Sequence, residues 1–182
     1  EVTLGWRKVL NDGIDEWSKV RTLNVEICCR STGPTIGIND RKVDLVVHAG
    51  DFVAPFAIAP MEELNCQLVC VFGNNDGERI GLYNRIKDIG EVHNNLADIG
   101  IDGRRICAVH YPELAEPIAL SGLYDLVIYG HTHKIDIRTI RTKTDQSKTV
   151  LLNPGETGGW VTGRSTLATV DLNSMSVEIF DL

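Results

Sequence analysis

Positive charge is in short supply. Against 25 acidic residues stand 18 lysines and arginines, a formal net charge of −7. That balance argues against a nucleic-acid or membrane-surface binder working through bulk positive charge. It leaves room for a metal-dependent enzyme acting on phosphates, because a bound cation supplies its own local charge. Long apolar runs are missing too, and none approaches the roughly 20 residues that span a bilayer. The opening residues, Glu1-Val2-Thr3-Leu4-Gly5-Trp6-Arg7-Lys8, lack the apolar segment of a signal peptide, so a cytoplasmic location is expected. The five cysteines are an odd number, and neither Cys28-Cys29 nor Cys66-x-x-x-Cys70 has zinc-site spacing. Cys66, Cys70 and Cys107 lie in or beside apolar runs, as buried reduced thiols do. No glycine-rich phosphate loop follows an early strand. Gly155-x-x-Gly158-Gly159 comes late and between β-strands, which speaks against a Rossmann-type nucleotide binder. Repeats, low-complexity tracts and linkers are absent, and 182 residues suffice for one core. A single domain over residues 1–182 is expected, with residues 1–38 atypical.

What is present begins firmly at Lys42. Val43–His48, Cys66–Phe72, Arg104–Val109 and Tyr124–Tyr129 read as buried strands. Helices are expected over Ala57–Leu64, Glu78–Ile89 (with Gly90 as a C-cap) and Glu113–Leu120. Val92, Leu96 and Ile99 mark short edge elements. Upstream, residues 1–20 have a weakly helical pattern, Asn24–Cys29 reads as a strand, and residues 31–37 read as a loop. In the last third, Ile135–Arg141, Thr149–Asn153, Ser165–Asp171 and Ser176–Phe180 read as an antiparallel meander with turns such as Asn153-Pro154-Gly155. Strand–helix alternation followed by a strand run suggests two packed sheets flanked by helices.

The four buried strands end in four polar tips: Gly50-Asp51, Gly73-Asn74-Asn75-Asp76, His110, and Gly130-His131-Thr132-His133. Ligand sites in α/β sheets lie beyond the carboxyl ends of the strands, so all four tips can converge. Imidazoles, a carboxylate and an amide carbonyl suit a first-row divalent cation. Each tip alone has a plainer reading. Asp51 can cap a helix, Asn74–Gly77 can be an ordinary turn, and His110 can be a surface histidine. His48 reads as a packed histidine and His93 as a solvated one. The conjunction carries the inference.

From about Asn39 onward, these motifs resemble the calcineurin-like metallophosphoesterases, specifically their small single-domain bacterial and archaeal phosphodiesterase branch. The resemblance implies a four-layer α/β/β/α sandwich of two mixed β-sheets. It implies metal ligation by Asp51 (bridging), Asn74, His110 and His131 at one cation, with His133 at a second. Asn75 and Asp76 are the expected catalytic residues. One or two divalent cations per chain are expected, Mn²⁺ or Ni²⁺ foremost, with Zn²⁺ or Fe also compatible. The implied reaction is attack on a small phosphoester by hydroxide generated at the metals. Relatives with broader phosphatase chemistry often carry His where this chain has Asn75, and an amide cannot act as a general acid at neutral pH. Substrates with good leaving groups are therefore favoured. Nucleic acid and membrane are not expected partners, and a homo-oligomer stays open.

The sequence departs from the family at one point. The family's first strand ends in Asp-x-His, which supplies two ligands of the second metal, and residues 1–50 contain no such motif. Arg30-Ser31-Thr32 follows the candidate first strand instead. Three explanations stand: a mononuclear or inactive relative, ligands from elsewhere such as Asp12, Asp15 or Glu26, or a reading-frame artefact in residues 1–38. An interaction scaffold is the alternative function, as for the retromer subunit that resembles the same branch. Arg79 and Arg164 are left outside the expected site.

Overall fold

A computed structural model describes residues 24–28 (backbone only), 43–142 and 147–182. The weakly helical segment over 1–20, the loop at 31–37, and Asp12 and Asp15 lie outside the described residues. The strands are β1 (Asn24–Cys28), β2 (Leu45–His48), β3 (Gln67–Val71), β4 (Gly90–His93), β5 (Leu96–Ile101), β6 (Arg104–Val109), β7 (Leu126–Ile128), β8 (Ile135–Arg141), β9 (Lys148–Pro154), β10 (Thr166–Asp171) and β11 (Ser176–Asp181). Helix α1 covers Arg79–Ile86 and α2 covers Pro112–Leu120.

Two mixed sheets form, ordered β11-β10-β1-β2-β3-β4 and β5-β6-β7-β9-β8. Their facing sides make the central core. Leu45, Val47, Val69 and Val71 from the first sheet meet Ile106, Ala108, Leu126, Ile128 and Leu152 from the second. Alternation sends Val46, Leu68 and Cys70 to the opposite side, under Ile58, Met61, Leu82 and Ile86 of the first helical layer. On the far side of the second sheet, Val109, Val127 and Leu151 pack against Ala115 and Ala119 of α2. The result is the expected four-layer α/β/β/α sandwich. Strands covered on both faces explain why β2, β3, β6 and β7 are apolar nearly throughout. Among the described residues no helix is long and apolar enough to cross a membrane.

Three local expectations change. The helix expected over Ala57–Leu64 is a 3₁₀ segment, Pro55–Glu63, with Pro60 inside it. Proline has no N–H for an i−4 bond, so a regular α-helix is disfavoured there. Gly90 opens β4 rather than capping α1. A Cβ at Gly90 would stand 2.2 Å from the Leu68 carbonyl oxygen, so the glycine permits close strand pairing. The expected meander is divided between the sheets. β8 and β9 complete the second sheet, with β9 parallel to β7, while β10 and β11 complete the first. Local patterning marks strands but not which sheet they join.

His48 is fully buried and stacks on Phe52 with ring centroids 3.8 Å apart. Its Nδ1 accepts the Gly50 N–H at 3.1 Å. The ring proton therefore sits on Nε2, which has no partner among the described residues. Burial, then the neighbouring His110, pulls the His48 pKa down to about 3. The unfolded chain then binds this proton between about pH 6.5 and 3 while the folded chain does not, so stability falls as pH falls through that window. The steepest slope is about 1.4 kcal/mol per pH unit. Denaturant titrations between pH 4 and 7 should show this slope reduced in His48→Asn, which retains an acceptor for Gly50. Parallel curves for the two proteins would remove His48 as the cause.

Candidate metal centre at the junction of the two sheets

β2 and β3 run parallel in one sheet, and β6, β7 and β9 run parallel in the other. Their carboxyl ends meet at one edge of the sandwich. Asp51 and Asn74 come from the first sheet, His110 and His131 from the second. The sheets are tied there directly, because His110 Nδ1 lies 2.7 Å from the Ala49 carbonyl oxygen. A carbonyl can only accept, so Nδ1 carries the proton and His110 Nε2 presents a lone pair. Burial lowers the His110 pKa, against a rise from the Ala49 hydrogen bond, so the neutral ring is favoured.

That bare Nε2 lies 2.9 Å from Asn74 Oδ1 and 3.3 Å from His131 Nδ1. Asn74 Oδ1 is also 2.8 Å from His131 Nδ1. The Asp51 carboxylate is 3.5 Å from His110 Nε2. Among the described residues no three His, Cys, Asp or Glu side chains close on a metal unaided. The Asn74 amide oxygen is what joins the two imidazoles into a donor set. With that oxygen turned to the rings, it faces the lone pair of neutral His110 with no proton between them. A cation would relieve this opposition, and the N/O donors are of the type a first-row divalent ion takes. The residues present therefore fit a divalent cation.

Backbone strain is concentrated at the same edge. Asp51, Val53, His131 and His133 have φ of 67°, 73°, 62° and 59°. Non-glycine residues in this region cost about 1–3 kcal/mol each and persist where their surroundings hold them. Here the holding groups are visible. Asp76 is buried, and its carboxylate accepts the backbone N–H groups of Asp51 (3.1 Å), Val53 (2.9 Å) and Gly73 (2.7 Å). Asn75 donates through its backbone and its side-chain amide to the two oxygens of Asp51, each at 2.9 Å. Gly73 is needed for the closeness of these loops, since a Cβ there would come within 2.2 Å of Asp51 Oδ1. Arg79 donates to the Gly73 carbonyl at 3.1 Å and Arg164 pairs with Asp181, so both are engaged in the scaffold.

The histidine loop after β7 is clamped by Asn153. Its side-chain amide donates to the Gly130 carbonyl at 2.7 Å and to Thr132 Oγ1 at 3.1 Å, and its oxygen accepts the Gly155 N–H at 3.0 Å. Asn153→Ala should leave buried backbone groups unpaired at a cost of about 1–3 kcal/mol, visible as a melting point lower by several degrees. An unchanged melting point would contradict the clamp.

The structure thus brings together Asp51, Asn74, His110 and His131. It places Asn75 and Asp76 around Asp51, and it sets His133 on the neighbouring turn. It also shows Glu156, which sequence reasoning missed. Glu156 follows the end of β9, is fully buried, and lies 3.2 Å from His133 Nδ1. The one hint in the sequence was its position directly after Asn153-Pro154-Gly155, read there only as a turn. Residues 29–32, where the family's Asp-x-His would fall, lie outside the described residues. β1 does pair parallel with β2, Cys28 beside His48, and so runs towards the same edge.

Known proteins share the family and the fold. The calcineurin-like phosphoesterase superfamily domain matches residues 35–175. A phosphodiesterase from Methanocaldococcus jannaschii is 39% identical over 137 residues, covering 73% of this chain and 79% of its own. The solved structure of an archaeal phosphodiesterase, 31% identical, superposes with a TM-score of 0.77 over 88% of this chain and 100% of the other. A variant of Vps29 from Entamoeba histolytica superposes with a TM-score of 0.60 at 17% identity, over 88% of this chain and 99% of its own, which is a likeness of fold.

Proposed function

The chain belongs to the calcineurin-like phosphoesterase superfamily, and from that premise we propose that it is a divalent-metal-dependent phosphodiesterase acting on small phosphoesters. The observation that carries this reading is the meeting of the His110 lone pair, Asn74 Oδ1 and His131 Nδ1 within 3.3 Å of one another. A cation bound there would act as a Lewis acid on a phosphoryl oxygen and lower the pKa of a water molecule. Asp51, Asn74, His110 and His131 would hold it, and His133 would serve a second position. Asn75 keeps the Asp51 carboxylate oriented by bonding both of its oxygens. Asp76 fixes the loops that carry Asp51 and Asn74, so its part is positioning rather than contact with substrate. With an amide rather than an imidazole at position 75, proton donation to a poor leaving group has no evident source there. Activated diesters are therefore the favoured substrates.

The test is hydrolysis of bis-p-nitrophenyl phosphate by chelator-stripped protein, before and after addition of Mn²⁺ or Ni²⁺. Turnover should appear only with metal. Turnover no higher than that of His131→Ala, with metal shown to be bound to the wild type, would reject the reading.

A further inference from the structure

His133 is held in a way that the proposed reaction does not by itself require. Its backbone is left-handed, at φ 59°, and its side chain is only 12% exposed. Its Nδ1 faces Glu156 Oε2 at 3.2 Å. Glu156 is anchored in turn through its other oxygen. Oε1 accepts the backbone N–H groups of Val161 (2.9 Å) and Thr162 (2.6 Å) and the Thr162 hydroxyl (2.8 Å). Three donors converge on Oε1, the pattern of a carboxylate that only accepts, so the hydrogen between Oε2 and the ring belongs to His133 Nδ1.

We infer that Glu156 is a positioning residue for His133: its carboxylate fixes the Nδ1–H tautomer and leaves Nε2 bare as a metal donor. The loop from Glu156 to Arg164 is then the brace of the second cation position. Carboxylates that hold the far nitrogen of a metal-binding imidazole set its orientation and raise its basicity. The inference rests on the phosphoesterase reading for what Nε2 would bind, but the tautomer belongs to the metal-free chain.

Two variants separate this role from simple loop support. Glu156→Gln preserves shape, and its amide oxygen can still accept from Val161 and Thr162. Its NH₂ group then faces His133 and donates to Nδ1, which reverses the tautomer and blocks Nε2. Thr162→Val removes one anchor of the loop and leaves the carboxylate facing His133. Long-range ¹H–¹⁵N NMR of the metal-free protein reads which ring nitrogen of His133 is protonated. Titration with diamagnetic Zn²⁺ then reads binding at His131 and His133 separately.

In the wild type and in Thr162→Val, His133 should carry its proton on Nδ1 and respond to Zn²⁺. In Glu156→Gln the proton should move to Nε2, and the His133 response should need about 10–100-fold more Zn²⁺, while His131 responds as in the wild type. The inference is overturned if Glu156→Gln keeps the wild-type tautomer or Zn²⁺ response at His133. It is equally overturned if Thr162→Val changes His133 as much as Glu156→Gln does. Absence of a Zn²⁺ response at both histidines of the wild type would instead overturn the phosphoesterase reading beneath it.

Discussion

Replacing His131 with alanine should strip the cation from the Asp51–Asn74–His110–His131 sphere and bring metal-dependent diester hydrolysis down to background. The reason is geometric. His131 Nδ1 is the third member of a cluster in which His110 Nε2 and Asn74 Oδ1 lie 3.3 and 2.8 Å away. Without it, one imidazole, one amide oxygen and a carboxylate remain, too few strong donors for a first-row ion in competition with water. Lewis-acid stabilisation of a phosphoryl transition state amounts to several kcal/mol, and each 1.36 kcal/mol is tenfold in rate, so a loss on the order of a thousandfold or more is expected. The fold should persist, because His131 sits on a loop outside the three apolar clusters. The rate is read with bis-p-nitrophenyl phosphate, the metal by elemental analysis, and the fold by circular dichroism. His133→Ala should leave the His131 sphere loaded. If it removed metal as completely as His131→Ala, the two histidines would not have separate duties.

Asp76→Ala should do a different kind of damage. The carboxylate accepts three backbone N–H groups from two loops, those of Asp51, Val53 and Gly73. Removing it leaves these donors buried or half-buried with no acceptor, and hydrogen bonds to a charged group are each worth about 1.5–3 kcal/mol. The three are not additive. A total of about 3–5 kcal/mol is expected for three donors left without an acceptor, each costing about 1–3 kcal/mol. For a chain of this size that corresponds to a melting point lower by roughly 6–20 °C. Activity should fall with it, because Asp51 and Val53 are in left-handed conformations that the carboxylate helps to hold. Thermal unfolding with the activity assay decides the point. Lost turnover with a melting point within about 2 °C of the wild type would mean that Asp76 acts on the substrate after all.

These two residues also show what could be read from the chain beforehand. The ligand candidates were legible because each follows a short apolar strand, and buried strands end where a sandwich gathers its polar groups. Residue type and position alone mark the four polar tips, and the family resemblance singles out Asp51, Asn74, His110 and His131 within them. The duty of Asp76 could not, since an aspartate in a turn gives no sign that its acceptors will serve a loop 25 residues earlier. Glu156 was hidden for a similar reason. A lone glutamate after Asn153-Pro154-Gly155 reads as solvated until the fold buries it against His133. The divided meander belongs with these, because alternation in Ile135–Arg141 and Ser176–Asp181 records which residues face inward and is silent on which sheet receives the strand. Gly90 was misassigned because a glycine after a helical stretch resembles a C-cap, while its close approach to Leu68 is a tertiary fact.

The cation site proposed at Asn74, His110 and His131, with Asp51 beside it, is assembled from strand ends of two sheets. Calorimetric titration of Mn²⁺ into the folded, chelator-stripped wild-type protein tests it most directly. At least one equivalent should bind, and that equivalent should be absent from His131→Ala. A folded wild type that takes up no Mn²⁺, or a His131→Ala variant that binds as the wild type does, would contradict it.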